Sequence, residues 1–283
     1  MKKNKYVLGA AALTSALLLA ACGDDKASDS LGDINLAYVE WDTEVASTHV
    51  VGHVLEEIGY DVKLTPLDNA IMWEAVSKGE ADAMVAGWLP ATHAAQYEKY
   101  GADLVDLGPN LDGAKIGLVV PTYMDVDSID DLSDQANKTI TGIEPGAGIM
   151  GATEKALTEY ENLSDWTLQS SSSGAMTVAL DQAYKNNEDI IVTGWSPHWK
   201  FASYDLKYLE DPKGLYGGSE SIHTFVREGL EEDHAEAYKV LDAFNWTVED
   251  METVMLDIQN GASPKEAAEK WVKDNQDKVD SWK

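Results

Sequence analysis

The motif Gly-Trp-x-Pro occurs twice, as Gly87-Trp88-Leu89-Pro90 and as Gly194-Trp195-Ser196-Pro197. A third tryptophan, Trp41, also follows an apolar run. Indole faces attract cations, most strongly a methylated ammonium that donates no hydrogen bond and is easily desolvated. One tryptophan alone is more often a packing residue. Three in equivalent places, in a chain with nine Trp and three Phe, favour an aromatic cage for a quaternary ammonium group.

A candidate anion site lies where the segment Glu144-Pro145-Gly146-Ala147-Gly148-Ile149 leads into a helical pattern. The first amides of a helix lack internal acceptors, and glycine lets a ligand approach the backbone closely. We expect the amides of Gly148 and Ile149 to bind a carboxylate. His93, five residues after Trp88, is either a further donor or an ordinary polar residue at a helix start. A zwitterion with a trimethylammonium head and a carboxylate tail would occupy both sites.

These residues fall at matching places in a duplicated β-α-β-α-β pattern. Strands are predicted at 34–39, 61–67 and 81–86, then at 138–143, 166–170 and 189–193, with helices at 43–58 and 72–78, then at 149–160 and 176–185. Trp41 lies 47 positions before Trp88, as Gly148 does before Trp195. The pattern predicts two α/β lobes with open, largely parallel sheets, and places the tryptophans after strand ends, where such sheets bind ligands.

Two apolar runs, Lys115 to Pro121 and Ser221 to Arg227, predict strands that cross between the lobes. Two crossings form a hinge, which permits closure around a ligand. A long amphipathic helical pattern runs from Glu228 to about Asn260, and Ser263-Pro264 begins a last helix to about Trp282. We therefore predict lobe 1 from residues 33–119 and 223–283, and lobe 2 from residues 120–222.

The remaining tryptophans have weaker claims to a binding role. Trp73, Trp246 and Trp271 fall within helical patterns, which predicts core or lobe-interface positions. Trp199, four residues after Trp195, is expected to pack behind it.

The first 21 residues predict a targeting segment. Three lysines precede an apolar run that is too short and wrongly flanked to span a membrane. The run ends in Leu19-Ala20-Ala21-Cys22, which resembles the lipobox of bacterial lipoproteins and makes Cys22, the only cysteine, the lipidated first residue. Residues 22–32 predict a flexible tether. We expect an extracytoplasmic protein, lipid-anchored to the outer face of the cell membrane; the alternative is a plain signal peptide with a leftover thiol.

The composition disfavours several classes of partner. A net charge of −29 repels nucleic acid and anionic lipid surfaces. His49 and His53 have the i, i+4 spacing of a metal-binding pair, but no third ligand is evident and a solvated helix face is the better interpretation. No Gly-x-Ser-x-Gly elbow supports a hydrolase that would use His93 or His198. We expect a monomer with no metal, no cofactor and no enzymatic activity.

At the residues given above, the chain resembles the glycine betaine-binding lipoproteins of ABC-type osmoprotectant importers. The resemblance rests on INLAYVEWD, AGWLPATH, KIGLVVP, TGIEPGAGIM, TGWSPHW and YLEDP. It implies an α/β fold of the two-lobed type II periplasmic-binding-protein kind, with a hinge and an interlobe cleft. It further implies an ammonium box of Trp41, Trp88 and Trp195, with a carboxylate held by the amides of Gly148 and Ile149 and by His93. The implied partners are a small betaine ligand and the importer's transmembrane subunit.

One feature departs from some members of that family, in which the half with TGIEPG precedes the half with INLAYVEWD. Here the order is reversed. Such a circular permutation leaves the cleft intact when the halves are pseudo-equivalent lobes. It changes which lobe carries the tether, so the orientation on the membrane does not carry over.

Three other functions compete with betaine capture. A choline or carnitine receptor is the nearest alternative, but choline lacks the carboxylate that Gly148, Ile149 and His93 are expected to bind. A secreted hydrolase lacks a supporting motif. A purely structural surface lipoprotein would leave the aromatic residues at the strand ends without a reason.

Overall fold

A computed structural model of the protein describes residues 30–283. Cys22, the apolar run before it and nearly all of the tether lie outside the described residues. Among the helices that the structure describes, none is long and apolar enough to cross a membrane.

Nine strands and eleven α-helices make up the described chain. The strands are β1 (Asp33–Tyr38), β2 (Asp61–Pro66), β3 (Ala83–Leu89), β4 (Leu104–Pro121), β5 (Thr139–Thr141), β6 (Thr167–Gln169), β7 (Ile191–Ser196), β8 (Leu206–Tyr208) and β9 (Glu220–Arg227). The helices are α1 (Asp42–Ile58), α2 (Asn69–Ser77), α3 (Ala94–Tyr100), α4 (Gly148–Glu159), α5 (Ser173–Asn186), α6 (Lys200–Ser203), α7 (Leu230–Asp233), α8 (Ala235–Ala243), α9 (Val248–Gln259), α10 (Pro264–Asp274) and α11 (Gln276–Asp280).

The predicted duplication is visible in the strand order. The first half forms the parallel series β2-β1-β3, and the second half forms the parallel series β6-β5-β7. Each series ends on an antiparallel strand, β9 beside β3 and β4 beside β7. The sheets are therefore mixed rather than largely parallel, because β9 and β4 pair with the third strand of each half.

The long strand β4 joins the two lobes. Residues 104–114 of β4 pair with β9, whereas residues 115–119 pair with β7. Strand β9 pairs only with β3 and the first part of β4, so it lies wholly in the first sheet and is not itself the return crossing that the sequence predicted. We propose lobe limits at about 114/115 and 219/220, slightly earlier in the chain than the sequence indicated.

The same pairing corrects the positions of two tryptophans. Trp88 and Trp195 are the last residues but one of β3 and β7, rather than the first residues of the loops that follow. Trp88 is opposite Ile222 of β9, and Trp195 is opposite Ile116 of β4. Strands β9 and β4 extend the ladder over these residues, so both indoles project from paired strand backbone.

The C-terminal region differs from the predicted long helix. It contains the three helices α7, α8 and α9. Of these, α8 and α9 contact α1, as does the later helix α10. The break before α9 arises because the Thr247 side chain accepts from the Asp250 amide, and a capping residue requires extended backbone. The last predicted helix is also divided, at Asn275. Trp246 therefore lies between helices rather than within one, while Trp73 and Trp271 are helical and buried as expected.

The glycine of the repeated Gly-Trp-x-Pro motif is required for the same structural reason in both lobes. A Cβ on Gly87 would lie 2.3 Å from the Phe225 ring of β9, and one on Gly194 would lie 2.4 Å from Val119 of β4. Both neighbours are fully buried, so neither side chain has free space to move into. Strands β9 and β4 approach so closely that only glycine fits there.

We expect Gly87→Ala and Gly194→Ala each to lower the free energy of unfolding by about 1–3 kcal/mol, because each overpacks a buried strand pair. Gly174→Ala is the matched control, since Gly174 is on a helix and a Cβ there would have no neighbour within 4 Å. Urea denaturation measures all three. Equal stability of Gly87→Ala and Gly174→Ala would contradict the packing explanation.

Candidate functional site

A single cavity brings together every residue that the sequence analysis assigned to ligand binding. It lies between the lobes. Its lining consists of Trp41, Thr43, Trp88, Thr92, His93, Ile116, Ile143, Ala147, Gly148, Ile149 and Trp195. The three tryptophans are nearly fully buried there, with exposures of 4–7%.

Carboxylates orient two of the three indoles. Trp41 immediately precedes α1, and its Nε1 donates across the cleft to Glu144 Oε2 at 3.1 Å. Trp88 Nε1 donates within its own lobe to Glu44 Oε1 at 2.9 Å. A hydrogen bond to a carboxylate is stronger than one to a neutral acceptor, so both rings are held firmly.

Trp195 has a different environment. Its Nε1 has no acceptor among the described residues. The Nζ atom of Lys200 lies 4.1 Å from the centre of its ring, and this lysine is completely buried. Burial lowers the pKa of Lys200 to about 7. Lys200 was not singled out by the sequence, since a lysine after a tryptophan carries no signal of burial.

His93 is held as a neutral donor. It is buried, and burial lowers its pKa to about 3. The backbone N–H of Trp88 donates to His93 Nδ1 at 3.1 Å, so the proton of the neutral ring resides on Nε2. The ring also stacks on Trp41, with 6.1 Å between ring centres. His93 is thus not a solvated residue at a helix start but a buried part of the cavity wall.

The loop before His93 is fixed by a residue that sequence reasoning missed. Glu220, at the start of β9, accepts from the amides of Ala91 and Thr92 at 2.8 Å each and also bonds to the Thr92 hydroxyl. Its side chain is almost fully buried. An acidic residue that opens a strand gives no sequence signal for this role, because its partners lie far away in the chain.

The candidate anion site has the expected backbone. Helix α4 begins at Gly148, and its first internal donor is the amide of Met150, which bonds to Ala147. Within the described chain, the amides of Gly148 and Ile149 have no protein acceptor. They are the free donors that a helix N-terminus offers to an anion.

Gly148 also lies in close contact with the facing lobe. A Cβ on this residue would lie 2.0 Å from the carbonyl oxygen of Thr92 in the facing lobe. Asn69 Nδ2 donates to the carbonyl oxygen of Gly146 at 3.2 Å beside this contact. The glycine is therefore required by lobe closure as well as by access to the amide.

A second set of contacts across the cleft converges on Asp42. Its carboxylate accepts from Trp199 Nε1 at 2.7 Å and from Ser173 Oγ at 3.0 Å, and His198 Nε2 lies 3.4 Å away. Burial alone would raise the pKa of Asp42, but these groups together outweigh burial and hold it well below its usual range. Trp199 therefore bonds across the cleft and does not simply pack behind Trp195 as predicted. The structure is closed.

The histidine pair considered for a metal does not converge on one point. His49 Nδ1 contacts the carbonyl oxygen of Val45 at 2.8 Å, whereas His53 lies beside Glu56 and Glu57. Over residues 30–283, no group of three or more His, Cys, Asp or Glu side chains is placed to hold a metal ion.

Two lobes of matching α/β topology, joined through a shared strand and closed over a cavity at their strand ends, define a type II periplasmic solute-binding protein. The chain belongs to the family described as the substrate binding domain of ABC-type glycine betaine transport systems, whose model matches residues 32–274.

Individual relatives agree with this assignment. The glycine betaine/carnitine transport binding protein GbuC of Listeria monocytogenes is 54% identical over 162 residues, which are 57% of this chain and 54% of the relative. The glycine betaine/proline betaine-binding periplasmic protein of Escherichia coli is 25% identical over 66% of this chain and 63% of the relative. The matches thus span about half to two thirds of the length of these two proteins.

Solved structures cover more of the chain. Lactococcal OpuAC, in its closed conformation with glycine betaine, is 61% identical with a TM-score of 0.87 over 89% of this chain and 99% of that one. An ABC-transporter choline binding protein in complex with choline is 25% identical with a TM-score of 0.82, over 88% of this chain and 91% of that one.

We expect Gly148→Ala to weaken ligand binding about 10- to 100-fold, because its Cβ meets the Thr92 carbonyl and blocks closure. The fold should be retained, since alanine is favourable in a helix. Gly151→Ala on the same helix has nothing within 4 Å and is the control. Calorimetric titration with glycine betaine measures both variants, and wild-type affinity in Gly148→Ala would contradict the closure argument.

Proposed function

We propose that this protein captures glycine betaine outside the cytoplasm and delivers it to an ABC importer for osmoprotection, with proline betaine and related betaines as further ligands. The observation that carries the proposal is the cavity in which three indoles, a neutral histidine and two free helix amides come together. This combination suits a ligand with a quaternary ammonium group and a carboxylate. Family membership and the glycine betaine in the lactococcal relative support the same ligand.

In this proposal, each end of the ligand has its own set of contacts. Trp41, Trp88 and Trp195 surround the methylated nitrogen, and the dry environment strengthens the attraction between cation and ring. The carboxylate accepts from the amides of Gly148 and Ile149 and from His93 Nε2. Both sets draw on both lobes, so closure completes the two together. The ligand is bound and released without chemical change.

A choline or carnitine receptor is the second candidate. The name of the Listeria relative includes carnitine, and a choline-binding protein shares the fold. Carnitine has a carboxylate and would use both halves of the site. Choline would leave the amides and the histidine donor unpaired in a buried place, which is unfavourable. The structure of the cavity therefore favours a carboxylate-bearing ligand.

The cellular context remains part of the proposal. Cys22 is the proposed lipidation site, and residues 22–32 form the proposed tether to the outer face of the cell membrane. The transmembrane subunit of the importer is the proposed protein partner, and the binding protein acts as a monomer.

Calorimetric titration with glycine betaine and with choline tests the proposed function. Trp195→Ala should weaken both ligands, by about tenfold or more, because it removes one wall of the cage. His93→Ala should reduce the affinity for glycine betaine about tenfold more than the affinity for choline. Only glycine betaine has a carboxylate, and that carboxylate would lose the hydrogen bond from His93. His223→Ala is the control, since His223 bonds to Asp106 outside the cavity. Absence of betaine binding to the wild type, or equal losses of both ligands in His93→Ala, would contradict the proposal.

A further inference from the structure

Glu44 is a buried carboxylate without a basic partner. Its residue exposure is 1%, and its two oxygens accept from Trp88 Nε1 at 2.9 Å and from Thr43 Oγ1 at 2.5 Å. No Lys, Arg or His of the described chain lies within 4 Å of it in an ion pair, although such pairs occur at many other carboxylates of the chain. Both of its hydrogen bonds come from neutral groups.

Such an arrangement is unfavourable for the protein alone. A carboxylate removed from water loses hydration that two neutral donors only partly replace. Burial accordingly raises the pKa of Glu44 to about 7. A glutamine would accept from Trp88 and donate to Thr43 without burying a charge. Geometry alone thus gives no reason for an acid at this position.

The surroundings supply a reason. Both residues that bond to Glu44, Trp88 and Thr43, line the cavity, so the carboxylate lies directly behind the cavity wall. A carboxylate that accepts from an indole N–H increases the electron density of the ring, and a denser ring attracts a cation more strongly. A negative charge this close to a dry cavity also acts on a cation directly.

The third indole provides a contrast within the same cavity. Trp195 has no acceptor for its N–H among the described residues and has the Nζ atom of Lys200 close to its ring. Its ring therefore gains no electron density from a carboxylate acceptor, unlike the rings of Trp41 and Trp88. The negative charge of the site is concentrated around Trp88 and Trp41, and Glu44 is the fully buried member of the two carboxylates that hold them.

We propose that Glu44 is the counter-charge of the ligand: a positioning residue that holds the Trp88 indole and supplies the buried negative charge against which the quaternary ammonium binds. The inference rests on the proposed function, since it requires a cationic head group in the cavity. Glu44 does not itself line the cavity, yet in this inference it gives the site its preference for a charged over an uncharged ligand head.

The effect of Glu44 on the pH dependence of affinity must be distinguished from that of other titratable groups near the start of α1. They are Asp42 on the same helix, Tyr38 on β1, His93 after β3, Glu252 on α9 and, from the facing lobe, Glu144, His198 and Lys200. His93 and His198, whose pKa values burial lowers to about 3 and about 4, stay neutral above pH 5.5. Burial lowers the pKa of Lys200 to about 7, but this lysine is present in both proteins. The comparison of the two affinities at each pH therefore removes the contribution that Lys200 makes independently of Glu44.

The test is the affinity of Glu44→Gln for glycine betaine relative to wild type, measured by calorimetry from pH 5.5 to 8.5. The wild type should bind about tenfold more tightly at pH 8.5, where Glu44 is ionised, and the two proteins should converge at pH 5.5, where it is protonated. Glu40→Gln is the control for net charge, because Glu40 is exposed and should change affinity less than about twofold at every pH.

Each result decides between the proposal and its alternatives. Equal affinity at pH 8.5 contradicts it, and so does a loss that is the same at every pH, which would indicate only a displaced indole. A Glu44→Gln protein that does not fold would also contradict it, because the acid would then be structural. If the wild type itself does not bind glycine betaine, the proposed function is contradicted, and the role assigned to Glu44 is contradicted with it.

Discussion

The constraint that shapes this molecule is that a methylated ammonium group cannot be held by hydrogen bonds. It must be held by aromatic faces and by charge, and both interactions are weak while water is present. A site of this kind therefore has to be assembled dry, from walls that separate to admit the ligand. Two lobes with a shared strand satisfy that requirement, because neither lobe alone carries all three indoles.

Closure depends on close backbone packing and on acids that accept hydrogen bonds across the cleft. Gly148 allows the Thr92 carbonyl to reach the second lobe, while Glu144 and Asp42 accept from indole N–H groups across the cleft. These carboxylates have two effects, since they fix the orientation of aromatic rings and make the surroundings of the cavity negative. A protein with a net charge of −29 has thus placed part of its acidity where it acts on a cation.

The two α/β halves, and the residues proposed to contact the ligand, could be selected from the sequence because those features are local. Strand periodicity, a repeated Gly-Trp-x-Pro and a glycine-rich helix start are each contained in a few residues. Glu44, Asp42, Glu220 and Lys200 were not found, since each acquires its role from partners that are distant in the chain or from burial that the sequence does not show. The broken C-terminal helices were missed for a different reason: the amphipathic pattern continues across Thr247 and Asn275, where capping side chains interrupt the backbone.

The central claim is that glycine betaine binds between the lobes with its two ends in different environments. A crystal structure of the protein with glycine betaine tests this most directly. We expect the quaternary nitrogen within about 6 Å of the ring centres of Trp41, Trp88 and Trp195. We also expect a carboxylate oxygen within about 3.2 Å of the amide nitrogens of Gly148 and Ile149. Betaine bound outside this cavity, or bound within it with the carboxylate toward the indoles, would contradict the claim.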